Sequence, residues 1–154
     1  MMIEKKIEAM GLVLPEFRPM KSKNLVRGVK SGNILYLSGV GAYHDGKLIQ
    51  GKVGKDLTAE EGRQAARYAA LNLLTVIKYL IGDLDKVKKF IRGFGYINCE
   101  PGFKELSYVT NGTTDLIVEV YGEEIGKHAR ASFGVSELAH DIPFEIIMDV
   151  EVES

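Results

Sequence analysis

Ile34-Leu-Tyr-Leu-Ser-Gly39 is a strand with apolar side chains on both faces. Alternation along an extended chain sends Leu35 and Leu37 one way and Ile34 and Tyr36 the other. Helices can cover only one of those faces in a two-layer domain, so the other asks for a second sheet. The cheapest second sheet is another copy of the same chain. The neighbouring sequence supplies the layer of helices this reading requires.

Upstream, Leu25–Lys30 is a second strand candidate, joined to the first at Ser31-Gly32, a dipeptide suited to a tight hairpin. Residues 2–10 form a short helix stopped by Gly11, and with the extended stretch around Pro15 and Pro19 they make up an N-terminal helical extension over 1–23. Downstream, the glycines and polar residues of 43–57 predict a loop with at most a short strand. Thr58-Ala-Glu-Glu61 then has the capping-box spacing, in which hydroxyl and carboxylate satisfy helix-start amides reciprocally. Ala65, Ala66, Ala69, Leu73, Val76, Ile77 and Leu80 follow on one helical stripe, which Gly82 ends.

Val87–Cys99 is a strand, expected to carry Phe90, Phe94 and Tyr96 on one face and Gly93 and Gly95 on the other. Asn111-Gly112 predicts a turn, with Thr113 or Thr114 capping a second helix through Leu116, Ile117, Val120 and Tyr121. Strands at about 128–136 and 143–152 complete the order ββαβαββ. The expectation is one α+β domain over 1–154, a mixed sheet with two helices on one face.

Composition narrows the function. The 154 residues are 45% hydrophobic and 27% charged, the balance of a folded domain. Twenty Lys and Arg stand against 21 Asp and Glu, a net charge of −1 that gives no broad attraction for nucleic acid. No uncharged stretch reaches membrane-spanning length, and the charged opening Met-Met-Ile-Glu-Lys-Lys is unlike a secretory signal. The single cysteine, Cys99, cannot close an internal disulfide, which suits a reducing cytoplasm.

The segment that carries chemistry is His128-Ala-Arg-Ala-Ser-Phe-Gly-Val135. Alternation separates Ala129, Ala131, Phe133 and Val135, expected on the helix-packed side, from Arg130, Ser132 and Gly134 on the other. An arginine followed on its own face by two small residues is a cation beside open space. It suits an anionic ligand, because the guanidinium fork grips a carboxylate with two hydrogen bonds. An interface ion pair is the competing account. If the last two strands form a hairpin, Asp149 falls opposite Arg130 as such a partner, and Glu145 falls opposite Gly134, free to act on a ligand or a water. His44, His128 and His140 lack metal-ligand spacing with any cysteine pair, and no metal is expected. Neither a phosphate loop nor a nucleophile elbow is present around Gly39.

Three places together resemble the YjgF-like, or Rid, family: Ile34–Gly39, Asn111-Gly112, and Ala129-Arg130 with Glu145 fifteen positions later in a strand ending Asp149-Val-Glu151. The resemblance covers residues 24–152. It implies a chorismate-mutase-like fold (the bacillus type) assembled as a homotrimer with clefts between subunits. It also implies hydrolysis of reactive 2-imino acids to 2-keto acids and ammonia without metal or cofactor. Carried over, Arg130 grips the substrate carboxylate, Glu145 positions or deprotonates water, and Gly39, Asn111 and Ser132 line the pocket. The sequence departs from the pattern in the first strand, where Leu25-Val-Arg-Gly-Val29 lacks the tyrosine usual in deaminating members. His128 replaces the proline before Ala-Arg, and Leu138-Ala139 stands for the usual Leu-Pro. A non-catalytic trimer that binds small carboxylates, such as keto acids, is the alternative that the missing tyrosine favours; Glu145 favours catalysis. The ribonuclease activity sometimes attributed to the family finds no basic stripe interleaved with aromatics here.

Overall fold

In the computed structural model, which describes residues 2–154, the first helix, α1, covers Met2–Ala9 and stops ahead of Gly11 (φ 75°). The first residue of the expected 1–23 extension lies outside the described residues. Beyond α1 that segment runs without helix or strand, and its Leu12, Leu14 and Phe17 pack on the core.

Strands β1 (Gly28–Ser31) and β2 (Ile34–Leu37) form the expected hairpin. Ser31 pairs with Ile34, so the two turn residues are Gly32-Asn33, one place later than the sequence suggested. Gly32 takes the positive φ (60°) that such turns demand. The two-residue strand β3 (Val40–Gly41) follows, and the 43–57 loop holds two more, β4 (Tyr43–His44) and β5 (Lys47–Leu48), paired with each other. Helix α2 (Ala59–Ile81) starts at the capping box, with both Thr58–Glu61 hydrogen bonds made, and ends at Gly82.

Strand β6 (Val87–Asn98) is followed by α3 (Leu106–Gly126), β7 (Ala129–Val135) and β8 (Phe144–Val152). The main sheet runs β1-β2-β8-β6-β7, with β3 also paired to β8. The β6–β7 pairing is parallel and the other pairings are antiparallel. Phe144, Ile146, Met148, Val150 and Val152 of β8 are buried under the helices, as are Leu35 and Leu37.

Three sequence expectations fail here, each for a physical reason. Asn111-Gly112 is not a turn but the middle of α3, which begins at Leu106. Gly112 is there because the helices touch: a Cβ would fall 3.1 Å from the Arg63 carbonyl carbon and 3.1 Å from the Ala66 Cβ. Thr113 completes that contact by donating to the Ala66 carbonyl at 2.6 Å.

The face assignment in β6 also fails, because the pairing with β8 shifts register between Phe90 and Arg92. An irregularity of this kind reverses the alternation. Phe90 is therefore fully buried beneath the helices, while Phe94 and Tyr96 turn to the opposite, open face.

The third failure is the final hairpin. Strands β7 and β8 are not neighbours, since β6 lies between them. The long α3 connection makes β6 and β7 parallel neighbours, as crossover helices do, and leaves β8 the other side of β6.

The open face presents Tyr36 (49% exposed), Ile91 (37%) and Phe133 (43%) with no helix over them. This is the two-sided apolar character that the Ile34–Gly39 stretch implied. Among the described residues no helix is long and apolar enough to cross a membrane.

Candidate functional site

Arg130 lies on β7, an edge strand of the main sheet. Its neighbours across β6 are glycines, Gly93 beside Arg130 and Gly95 beside Ser132. Those glycines leave room for α3 to settle close: a Cβ on Gly95 would sit 2.6 Å from the Thr110 hydroxyl. Arg130, Ser132 and Gly134 consequently face α3, and Phe133 points to the open side, stacked on Tyr96 at 5.6 Å between ring centres. This inverts the expected faces of the strand, in which Ala129, Ala131, Phe133 and Val135 were to meet the helices.

The guanidinium is held entirely by neutral acceptors. Its Nη1 donates to Asn111 Oδ1 at 2.7 Å and to Thr114 Oγ1 at 3.1 Å, and Nη2 reaches the Ser107 carbonyl at 3.4 Å. His128 supports the arrangement from behind. Its Nδ1 donates to the Gly126 carbonyl at 2.7 Å, which leaves Nε2 to accept the Thr114 hydroxyl at 3.2 Å. Burial lowers the His128 pKa, and the nearby cations Arg130 and Lys89 push the same way against the hydrogen bond to Gly126. Burial also lowers the pKa of Arg130, with Asp115 acting in opposition, although an arginine stays charged under any ordinary condition.

None of the ion pairs among the described residues includes Arg130. Its expected partner, Asp149, instead faces Arg92 at 3.6 Å. The result is a half-buried cation, rigidly placed and without a carboxylate in contact, since Asp115 is engaged by Arg63 at 2.7 Å and acts on Arg130 only at longer range.

Glu145 is the second residue of the central strand β8 and projects to the open face, between its register partners Gly41 of β3 and Tyr96 of β6. Its side chain folds over Gly39. A Cβ on Gly39 would lie 2.7 Å from Glu145 Cδ and 3.1 Å from Cγ, and closer still to Oε1. The segment that lacks the tyrosine is adjacent, because Ser38 donates its hydroxyl to the Val26 carbonyl at 2.6 Å and its amide to the Arg27 carbonyl at 2.9 Å. Glu145 makes no hydrogen bond or ion pair with any described residue, and burial alone pushes its pKa upward.

The five expected site residues thus form two half-sites. Arg130, Asn111 and Ser132 gather under α3 on one face of the sheet, with Ser132 donating to Thr110 Oγ1 at 2.8 Å. Gly39 and Glu145 meet on the other face.

Sequence reasoning missed Ser107, Thr110, Thr114 and His128. A signal for three of them was present: Ser107, Thr110, Asn111 and Thr114 recur at helical spacing, a polar stripe on an otherwise apolar segment. It went unread because Asn111-Gly112 was taken as a turn. Cys99, by contrast, is buried against Gly134 with its pKa raised by burial, which is a packing role.

The chain is similar to known proteins along nearly its full length. A model of the family described as "YjgF/chorismate mutase-like, putative endoribonuclease" matches residues 4–140. Protein TCP17 of Trypanosoma cruzi is 38% identical over 149 residues, covering 96% of this chain and 92% of that protein. The crystal structure of protein Atu1372 from Agrobacterium tumefaciens, of unknown function, superposes with a TM-score of 0.88 at 36% identity, covering 99% of this chain and 92% of that one. A Shewanella oneidensis crystal structure, described as an endoribonuclease by inference, gives a TM-score of 0.92 at 30% identity, covering 97% and 99%.

Proposed function

This chain belongs to the YjgF/chorismate mutase-like family, and on that premise we propose that a trimer of it hydrolyses small reactive 2-imino acids to 2-keto acids and ammonia. The observation that carries the proposal is the Arg130 guanidinium, fixed by three neutral acceptors and left without a carboxylate. Even a half-buried cation with no carboxylate in contact gives up part of its hydration, and an anion that arrives to pair with it is favoured. A 2-imino acid brings a carboxylate, and its imine carbon lies one bond away.

The division into half-sites supports assembly. Arg130 faces α3 and Glu145 faces the open side, so the two come together most directly when the β7 edge of one subunit docks on the open face of another. The uncovered Tyr36, Ile91 and Phe133 give that face an apolar surface to bury.

In the joint site Arg130 holds the carboxylate, and Asn111, Thr114 and His128 keep the guanidinium oriented. Glu145 accepts a proton from a water as its oxygen bonds to the imine carbon. The C=N π pair moves to nitrogen, which takes up a proton. Collapse of the resulting carbinolamine breaks the C–N bond, releases ammonia and leaves the keto acid. An electrophilic carbon held beside an oriented water needs little more than positioning and a base. A carboxylate raised by burial is a stronger base than one in water. Cleavage of RNA is less well supported, because a net charge of −1 gives phosphate backbones no general attraction. A reducing cytoplasm suits the single cysteine.

The test is to generate 2-iminobutanoate in place with a threonine dehydratase and follow its decay with and without the protein. Acceleration that saturates with protein concentration is expected. If decay is unaltered while 2-ketobutyrate still binds, the chain is a carboxylate-binding protein and the catalytic reading fails.

A further inference from the structure

We propose that the Arg130 site takes up a proton together with its anion. His128, joined to the arginine through the Thr114 hydroxyl, protonates when a carboxylate binds, so the site holds carboxylates more tightly in mildly acidic than in alkaline solution. This rests on Arg130 as the group that holds the ligand carboxylate, and it makes His128 a positioning residue that answers to pH.

The link is short and its polarity is fixed at one end. Arg130 Nη1 donates to Thr114 Oγ1 at 3.1 Å, and that oxygen lies 3.2 Å from His128 Nε2. The Gly126 carbonyl, 2.7 Å from Nδ1, can only accept, so Nδ1 carries the hydrogen of the neutral ring. Nε2 then receives the Thr114 hydroxyl hydrogen. A proton added at Nε2 points at Oγ1, whose second lone pair can take it. The Thr114–His128 bond reverses, and two cations donate to one oxygen at a separation of at most about 6 Å.

The charges acting on the ring are both cationic. Burial, the largest cause, pushes the His128 pKa down, and Arg130 of β7 and Lys89 of β6 add to it against the hydrogen bond to Gly126. The acids of α3 are engaged elsewhere: Asp115 pairs with Arg63 at 2.7 Å and Glu123 with Lys127 at 3.4 Å, while Glu124, which is exposed, accepts Lys89 at its carbonyl. Against the ring, β6 presents Gly93, where a Cβ would lie 3.6 Å from His128 Cδ2, and so no charge. A carboxylate on Arg130 offsets the cation that shares the Thr114 hydroxyl with the ring. The protonated ring then forms more easily, and by linkage the anion binds more tightly wherever the ring is protonated. The gain is complete below the His128 pKa of the free protein and gone above the raised value of the complex. For charges about 6–8 Å apart in partly wet surroundings it amounts to roughly 3- to 10-fold in affinity.

The experiment follows the histidine rings of the isotopically labelled full chain by NMR between about pH 5 and about pH 8, free and with saturating 2-ketobutyrate. The His128 ring, assigned by through-bond correlation to its own backbone, should titrate at higher pH with the ligand than without. His44, stacked on Tyr68 and outside both half-sites, should titrate alike in both. Calorimetry should show 2-ketobutyrate bound roughly 3- to 10-fold more tightly near the acid end than near the alkaline end. That ratio should fall to about one in His128→Gln, whatever the variant's absolute affinity, because glutamine does not titrate. The Glu145 carboxyl, raised by burial, is the other group able to take up a proton beside an anion, so Glu145→Gln should still show the ratio. A His128 titration indifferent to saturating ligand, or a pH dependence that survives in His128→Gln and vanishes in Glu145→Gln, would overturn the proposal and leave Arg130 as the carboxylate holder. No binding of 2-ketobutyrate at any pH would overturn both.

Discussion

Replacing Gly39 with alanine should separate the position of Glu145 from the stability of the fold. Gly39 has no positive φ, so alanine meets no backbone strain there. The new methyl carbon would instead lie 2.7 Å from Glu145 Cδ. Non-bonded carbons prefer about 3.5–4.0 Å, so the carboxylate must retreat by roughly 1 Å. The cost to folding is small, because the obstacle is the end of a flexible side chain. An off-rotamer shift costs about 0.5–1.5 kcal/mol, and the loss of unfolded-state freedom on Gly→Ala returns about 0.4–1 kcal/mol. The net change should stay within about 1 kcal/mol, or about 2–4 °C in Tm for a chain this long.

Catalysis is far less tolerant, since a displacement of about 1 Å in a reacting group can cost on the order of 100-fold in rate. Gly39→Ala should therefore melt almost as the native protein does and hydrolyse 2-iminobutanoate roughly 100-fold more slowly. Full activity with an unchanged Tm would refute the claim that Glu145, seated over Gly39, handles the water. A Tm loss above about 10 °C would show instead that the close approach is structural.

Glu145→Gln should lower hydrolysis by roughly 100-fold, the scale of losing a general base, while 2-ketobutyrate binding persists. Burial holds the Glu145 carboxyl above its ordinary 4.5, so ionising it costs stability once pH exceeds the raised folded value, and that cost vanishes below the ordinary one. The glutamine variant should accordingly melt higher than the native protein at pH 7 and at about the same temperature near pH 4, as thermal scans across pH will show. Arg130→Ala should cost about 2–4 kcal/mol in calorimetric 2-ketobutyrate affinity; a variant that instead fails to assemble would make Arg130 an interface residue. Gly112→Ala gains helix propensity worth about 1 kcal/mol but drives its methyl into the Arg63 backbone, which cannot swing aside, so the clash should win and Tm should fall by several degrees. Sedimentation equilibrium at micromolar concentration should return three times the 17.0 kDa chain mass, and a stable monomer would remove the basis for a shared site.

What the sequence disclosed were features decided within a few residues. The Thr58–Glu61 box and Gly82 delimit α2 as read, and Ile34–Gly39 carries its two-sided apolarity into an uncovered sheet face. What stayed hidden was set by contacts distant in sequence. The irregularity at Phe90–Arg92 exists only in relation to β8, and strict alternation cannot foresee it. Asn111-Gly112 has the composition of a turn, yet its glycine answers to the backbone of α2.

The family motif identified Arg130 and Glu145 as candidates. Their relative placement was misjudged because nearness in sequence suggested a hairpin, whereas the 21-residue α3 crossover puts β6 between β7 and β8. The polar stripe from Ser107 to Thr114 was legible by spacing alone, once the segment was read as helix.

The place of β8 has a consequence for biosynthesis. It is made after every strand it pairs with, yet it lies in the middle of the sheet, with β2 and β3 on one side and β6 on the other. Until residues 144–152 have been synthesised, the β1–β2 hairpin and the β6–α3–β7 unit have no strand to join them. The nascent chain must keep two partial sheets apart, each with an unpaired edge that can recruit another strand. Folding then depends on pairings between residues more than a hundred positions apart, as between Ile34 and Glu151. Such topology closes slowly, and newly made chains should lean on holding chaperones more than an all-helical domain of equal length does.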